Sequence, residues 1–165
     1  MRIREKFEVE GIGRIRSSGN SATLEIDGEF VPALNGLEEF SHVVVLWWFS
    51  RSDNAEDRQT LRVLPPYRRF AESGRDSVGA FATRSPARPN PIAVTTARVL
   101  AVDAVTGHVQ VDFIDADDGS PILDLKPYTP SLDRVESPSV AVWSVQGPKS
   151  LEESATFDWS SEFAD

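Results

Sequence analysis

Pro86, Pro89 and Pro91 fall within six consecutive residues, and no other stretch of the chain leaves its backbone so few choices. Each proline fixes its own φ and pushes the residue before it toward extended conformations, so Ser85, Arg88 and Asn90 are biased away from helix. Thr83-Arg84-Ser85-Pro86-Ala87-Arg88-Pro89-Asn90-Pro91 is therefore expected to be a stiff loop, fed by an apolar strand that starts at Val78 and ends in Phe81 and Ala82. Stiffness matters for binding, because it holds two guanidiniums and an amide in fixed directions before a ligand arrives and so lowers the ordering cost. Arginine keeps its charge, and its planar fork suits a carboxylate or a phosphate. The loop reads as a preformed site for a molecule carrying an anionic group. A proline-rich surface turn with its arginines in water is the plainer alternative, but a nine-residue string in this order is harder to meet by accident than a short motif.

The flanking sequence alternates at strand period. Phe7, Val9, Ile12 and Ile15 sit among polar residues, Ala22, Leu24 and Ile26 alternate with Thr23 and Glu25, and Ser17 to Ser21 reads as the turn of a hairpin. Leu34 to Phe40 suggests a short helical turn. Val43 to Phe49, opened by His42, is β-branched and aromatic and too short for a buried helix, which makes it a central strand. Asp53 to Phe70, with Pro65-Pro66 and one helical turn near Arg58 to Val63, is a long excursion of the kind that is usually functional or mobile. Beyond the proline loop, Ile92 to Val102 places Ile92, Val94, Thr96, Arg98 and Leu100 on one face and Ala93, Thr95, Ala97, Val99 and Ala101 on the other. Val109, Val111 and Phe113 give another strand. Asp115 to Pro121 is a turn around Asp-Gly, Ile122 and Leu123 run on toward Tyr128, and Val140 to Val145 forms a final strand. Short strands, frequent turn signals and little helix point to an all-β fold, a single-domain antiparallel β-barrel with short helical turns and one long loop. The barrel is expected over residues 1–135, with 136–165 as a final strand and an acidic tail of the same domain.

Composition narrows the chemistry. There is no cysteine, which removes disulfides and thiolate chemistry, and two histidines make a metal site an unpromising assignment; none is expected. The longest apolar run, Val43 to Phe49, is seven residues against the ~20 of a membrane-spanning helix. Met1 to Glu10 alternates charges without the apolar core of a signal peptide, so a soluble cytoplasmic protein is expected. The formal net charge is −9, yet Arg51 to Arg98 holds nine arginines against five acids, a local excess of four positive charges on an acidic body. Such a face can still attract a polyanion. With only three lysines, the surface resembles those found where salt is high or the genome is rich in G and C; in molar salt the screening length falls to ~3 Å and net charge repels nucleic acid less.

Four stretches occur in one order: Ile12-Gly13-Arg14-Ile15-Arg16-Ser17, Leu37-Glu38-Glu39-Phe40-Ser41-His42, Phe81 to Ile92, and Asp118-Gly119-Ser120-Pro121-Ile122-Leu123-Asp124-Leu125-Lys126-Pro127-Tyr128. In residues and order they resemble the TrmO family, also called TsaA-like or VirR-like proteins, over Phe7 to Asp133. The resemblance implies an S-adenosylmethionine-dependent tRNA methyltransferase on a β-barrel, a homodimer acting on the N6 nitrogen of threonylcarbamoyladenosine beside the anticodon. It also implies that Ser50, Arg51, Arg84, Ser85, Val94 and the turn Asp118, Gly119, Ser120, Pro121 contact S-adenosylmethionine, while Arg88, Asn90 and Lys126 face the RNA and Tyr128 completes the site.

Chemistry agrees in part. The donor carries a carboxylate, a sulfonium, a ribose and an adenine, so its pocket wants a guanidinium, which Arg84 supplies, and acceptor oxygens, which Asp118 offers. Methyl transfer is an in-line displacement that needs positioning more than acid-base chemistry. The accepting nitrogen still loses a proton, which makes Asp124 a candidate base and Tyr128 an orienter. Asp124 paired with Lys126 or capping a turn is an equal alternative, and Tyr128 can equally be a core or rim aromatic. The sequence departs from the family pattern at Arg16 to Thr23, where a short serine-glycine-asparagine turn replaces a proline- and arginine-bearing loop with a glutamine. Ser50 replaces a histidine, Ala93 replaces a glycine, and the bacterial C-terminal extension is not found. Two other functions stay open: a module that binds S-adenosylmethionine without methylating tRNA, and a methyltransferase for a different substrate.

Overall fold

A computed structural model describes residues 5–19, 21–144 and 147–163. Among them are eight strands: β1 (Gly13–Ser18), β2 (Ser21–Ile26), β3 (His42–Trp48), β4 (Arg62–Val63), β5 (Val78–Gly79), β6 (Ile92–Asp103), β7 (His108–Val111) and β8 (Pro121–Pro127). Six close into an antiparallel barrel in the order β1-β2-β7-β6-β3-β8, and β4 pairs with β5 in a separate two-stranded sheet. Alternation decides which residues point inward: Ile15, Leu24, Val43, Val45, Val109, Val111 and Ile122 are fully buried, with Trp47, Ala93 and Ala97 packed among them. Closure leaves none of the six with a free edge, which removes the usual route to edge-to-edge aggregation.

Two details set the register. β1 and β2 pair from Ser18 with Ser21 back to Gly13 with Ile26, through a tight connection in which Gly19 takes φ 62°. A side chain at Gly13 would place its Cβ 2.1 Å from the Glu25 carbonyl oxygen, so glycine alone allows the two strands to meet there. On the far side, the β6–β7 ladder slips between Val99 and Ala101. The Asp112 carboxylate accepts hydrogen bonds there from the backbone N–H of Arg98 (2.9 Å) and of Phe113 (2.8 Å). Asp112→Ala should lower stability by about 1 kcal/mol, read as a shifted urea midpoint; an unmoved midpoint would show that water satisfies both amides.

Some expectations need correction. The alternation of Phe7 and Val9 does not extend the first strand, since both are exposed and β1 begins at Gly13. The strand before the proline loop ends at Gly79, and Ala80–Ala82 form a 3-10 turn that leaves Phe81 83% exposed. Thr83 ends that turn, its N–H and its Oγ1 both donating to the Ala80 carbonyl. The final strand expected at Val140 is absent over 140–144, where the Ser144 N–H donates to Ala141 O and closes a turn. Its apolar alternation has no ladder to join, because β8 is already paired by β1 on one side and β3 on the other. Asn20 and Val145, parts of the expected turn and strand, lie outside the described residues.

The long excursion is more structured than its sequence suggested. It holds a 3-10 turn at Asp57–Gln59, then β4, then α1 (Arg68–Glu72), whose Phe70 is fully buried. Phe70 meets Trp143 edge to face at 5.6 Å, and Tyr67 stacks on Phe163 with a backbone bridge between them. The segment after the barrel, which includes α2 (Pro130–Asp133) and α3 (Leu151–Thr156), thus returns to pack on the excursion. Among the described residues no helix is long and apolar enough to cross a membrane.

Candidate active site

The proline loop is braced from within. The Arg88 guanidinium donates from Nε to the Ser85 carbonyl (2.8 Å) and from Nη2 to those of Ala80 (3.1 Å) and Thr83 (2.5 Å). Prolines alone restrict φ; Arg88 ties three points of the loop to one rigid fork. The expectation that Arg88 faces the RNA therefore meets a side chain already engaged on its own loop. Arg84 is different. It is exposed, and its one hydrogen bond among the described residues runs from Nη1 to the Val94 carbonyl at 3.2 Å. Of five guanidinium N–H donors, one is used.

Arg84 and Ser85 line a cleft of about 670 Å³ between the proline loop and the excursion. Its other walls are Val63 to Tyr67, Phe81 to Thr83, Pro86, Trp143 and Ser144. One flank is cationic and polar, the other aromatic and proline-rich. The volume is in the ~300–1,000 Å³ range of small-molecule sites.

Ser50, Arg51, Val94 and the Asp118–Pro121 turn do not line this cleft. The turn is committed to β1: Asp118 Oδ1 accepts from Ser17 N–H, Arg14 Nη1 donates to Gly119 O, and the Gly119 N–H and Ser120 carbonyl pair with Ile15. Ser120 is buried. Arg51 reaches this turn through Asp117, 3.1 Å away, which joins the end of β3 to the start of β8. Asn90 is exposed on the loop, where its carbonyl accepts from Ile92 N–H.

The remaining predicted residues share the outer face of three adjacent strands. Leu46 on β3 pairs with Val94 on β6 and with Asp124 on β8, so the three form one row. Strands lie ~4.8 Å apart, which puts Asp124 about 10 Å from Val94. Lys126 occupies the next row beside Val44, and its Nζ lies 2.6 Å from Asp124 Oδ2. The ion pair weighed for Asp124 is thus present. Tyr128 lies beyond, roughly 13 Å from Asp124 along the strand; its N–H donates to His42 O and its ring meets His42 edge to face. His42 Nδ1 in turn is 2.9 Å from Ser41 Oγ.

The basic middle third is largely spent locally. Arg51 pairs with Asp117, Arg58 with Asp53, Arg62 with Ser77 and Arg68 with the Phe163 carbonyl, which leaves Arg69, Arg75 and Arg98 without a polar side-chain partner among the described residues. Arg58 also lies over the Trp48 ring, whose indole N–H donates to Asp53. The hydrogen bond from Arg58, followed by that from Trp48, holds the Asp53 carboxyl below the usual carboxylate range. A folded pKa below the unfolded value of ~3.9 means this contact is complete above that pH and is lost as pH falls through the lower, folded value. The Trp48 indole N–H resonance should accordingly stay fixed from pH 8 to 5 and move only in the acid range; movement near pH 6 would contradict the assignment.

The profile of the tRNA-methyltransferase O N-terminal domain matches residues 5–134. The chain belongs to the TrmO family. It is 35% identical over 127 residues to a protein of Methanocaldococcus jannaschii named as a probable S-adenosyl-L-methionine-binding protein, covering 77% of this chain and 96% of the relative. An S-adenosyl-L-methionine-binding protein of Archaeoglobus fulgidus is 35% identical over 120 residues, covering 73% and 78%. A crystal structure of TrmO from Pseudomonas aeruginosa superposes with a TM-score of 0.63 at 29% identity, covering 87% of this chain and 65% of that one. The chain therefore spans under two thirds of that TrmO structure. Outside the barrel strands, Pro65, Pro66, Tyr67 and Trp143 are cleft walls that the sequence did not reveal as such. Pro65-Pro66 marked a rigid element, but nothing local to Trp143 signals that it returns some sixty residues to the loop.

Proposed function

We propose that the Arg84–Ser85 cleft holds S-adenosylmethionine and that the acceptor is the N6 nitrogen of threonylcarbamoyladenosine in tRNA. Membership of the TrmO family makes the chain a methyltransferase. The observation that carries the placement is Arg84, held on a braced loop with most of its donors uncommitted, at the rim of a cleft whose opposite wall is aromatic. That pairing suits the donor's two ends, a carboxylate and a purine. Bound there, S-adenosylmethionine supplies a methyl group activated by its sulfonium.

The chain's own groups do the rest by positioning. Arg84 and the Ser85 hydroxyl fix the carboxylate end, and the prolines keep that grip from relaxing. Asp124, ion-paired with Lys126, accepts the acceptor nitrogen's proton at an Oδ oxygen, and Lys126 lies beside RNA phosphate. Tyr128 orients the acceptor. The row Val94, Leu46, Asp124 lies on an outer face where Ile92 and Val94 stay part-exposed, an apolar face that a second copy of the chain would cover in a homodimer. The protein acts in the cytoplasm, where its RNA is.

Calorimetric titration of the purified protein with S-adenosylmethionine tests the cleft, with micromolar binding expected and none fatal to the reading. Mass analysis of tRNA from a deletion strain tests the acceptor: the methylated nucleoside should vanish, and its persistence would remove tRNA from the proposal. Light scattering at micromolar concentration should give a dimer mass. A second reading, a module that binds the donor without methylating RNA, is favoured by the tight β1–β2 connection, which stands where the family resemblance implies a proline- and arginine-bearing loop.

A further inference from the structure

Phe70, Tyr67, Trp143 and Phe163 form two ring pairs, and both join the excursion to the segment after the barrel. In each pair one ring lines the Arg84 cleft and the other stands outside it. Trp143 lines the cleft and is held edge-on by the fully buried Phe70 at 5.6 Å, while Tyr67 lines it and is held by Phe163 stacked at 6.1 Å. Arg68 Nη2 adds a hydrogen bond to the Phe163 carbonyl. The two cleft aromatics are thus fixed from behind, each by a residue of the other segment. Trp143 and Phe163 lie outside the 5–134 stretch that matches the family.

We infer that Trp143, with Tyr67 beside it, is the wall on which the cleft takes the flat purine of the methyl donor, so that residues beyond the matched domain set purine affinity. The inference rests on the donor reading above. An aromatic face is a site for a heteroaromatic ring, with stacking worth ~1–3 kcal/mol per base. Prior fixing by Phe70 and Phe163 spares the cost of ordering the wall when the ligand arrives. Arg84 lines the same cleft and takes the anionic end, so the two ends of one ligand are read by separate residues.

That separation gives the test. The full chain and its Trp143→Ala, Trp143→Phe and Arg84→Ala variants are titrated with S-adenosylmethionine and with methylthioadenosine, which keeps the purine and lacks the amino-acid end. Trp143→Ala should weaken both ligands about tenfold, Trp143→Phe should recover most of the loss, and Arg84→Ala should weaken S-adenosylmethionine alone. Circular dichroism and a thermal melt confirm that each variant is folded; Trp143→Phe keeps an aromatic contact with Phe70 and decides the matter should the alanine variant unfold, by binding methylthioadenosine within about threefold of wild type. Unchanged affinities in a folded Trp143→Ala protein overturn the inference and leave the donor site standing. So does weaker tRNA binding with both small ligands unaffected, which would assign the ring to RNA. Failure of the wild-type protein to bind S-adenosylmethionine removes the donor reading, and this inference with it.

Discussion

Arg88→Ala is expected to lower stability by about 3 kcal/mol and the melting midpoint by roughly 6–12 °C, a large loss for a residue on a surface loop. The reason is the three carbonyls, of Ala80, Thr83 and Ser85, that share its guanidinium. Hydrogen bonds from a charged donor contribute ~1.5–3 kcal/mol each and are not additive here, because one side chain makes all three. Without it the Thr83 and Ser85 carbonyls turn toward water, and the loop keeps the φ restrictions of its prolines and the local bonds of Thr83 to the Ala80 carbonyl. Binding of the donor should weaken as well, since Arg84 and Ser85 would have to be ordered by the ligand. Arg88→Lys separates geometry from charge. One ammonium has the charge but cannot span three carbonyls, so it should recover less than half of the loss. A melting midpoint within a degree of wild type, together with weaker tRNA binding, would instead return Arg88 to the RNA-facing role that the family resemblance gave it.

The same residue shows where sequence reading reaches its limit. Stiffness at Pro86, Pro89 and Pro91 was legible, because proline acts on its own φ and on the residue before it. Which arginine braced the loop and which was left for a ligand was not, because the partners of Arg84 and Arg88 are backbone carbonyls, which carry no signal in the sequence. The barrel was legible for a related reason: period-2 alternation at Ala22 to Ile26 reports a face, the short β-branched and aromatic run Val43 to Phe49 reports a central strand, and six strands can close. Alternation at Val140 and Val142 misled, since a pattern states that a strand is possible and not that a ladder edge remains to receive it. Asp124 shows a third case. Its pairing with Lys126 was one of the alternatives the sequence left open, whereas its place in a row with Leu46 and Val94 depends on register across three strands, which no local signal carries.

Arg84→Ala should weaken S-adenosylmethionine binding by about thirtyfold, the loss of ~2 kcal/mol expected when a carboxylate loses a charged hydrogen-bond partner. The melting midpoint should barely move, because Arg84 is exposed and gives the fold one hydrogen bond, to the Val94 carbonyl. That contrast with Arg88 is itself diagnostic: two arginines four residues apart, one felt mainly in stability and the other mainly in affinity. Arg84→Lys should lie between wild type and alanine, since an ammonium keeps the attraction and loses the bidentate fork. S-adenosylhomocysteine decides which end of the ligand is being read. It carries the same carboxylate and lacks the sulfonium charge, so Arg84→Ala should weaken it by the same factor. If the guanidinium stood by the sulfonium instead, like charges would repel. Its removal would then improve binding of S-adenosylmethionine relative to S-adenosylhomocysteine, and the ligand would have to be reversed in the cleft.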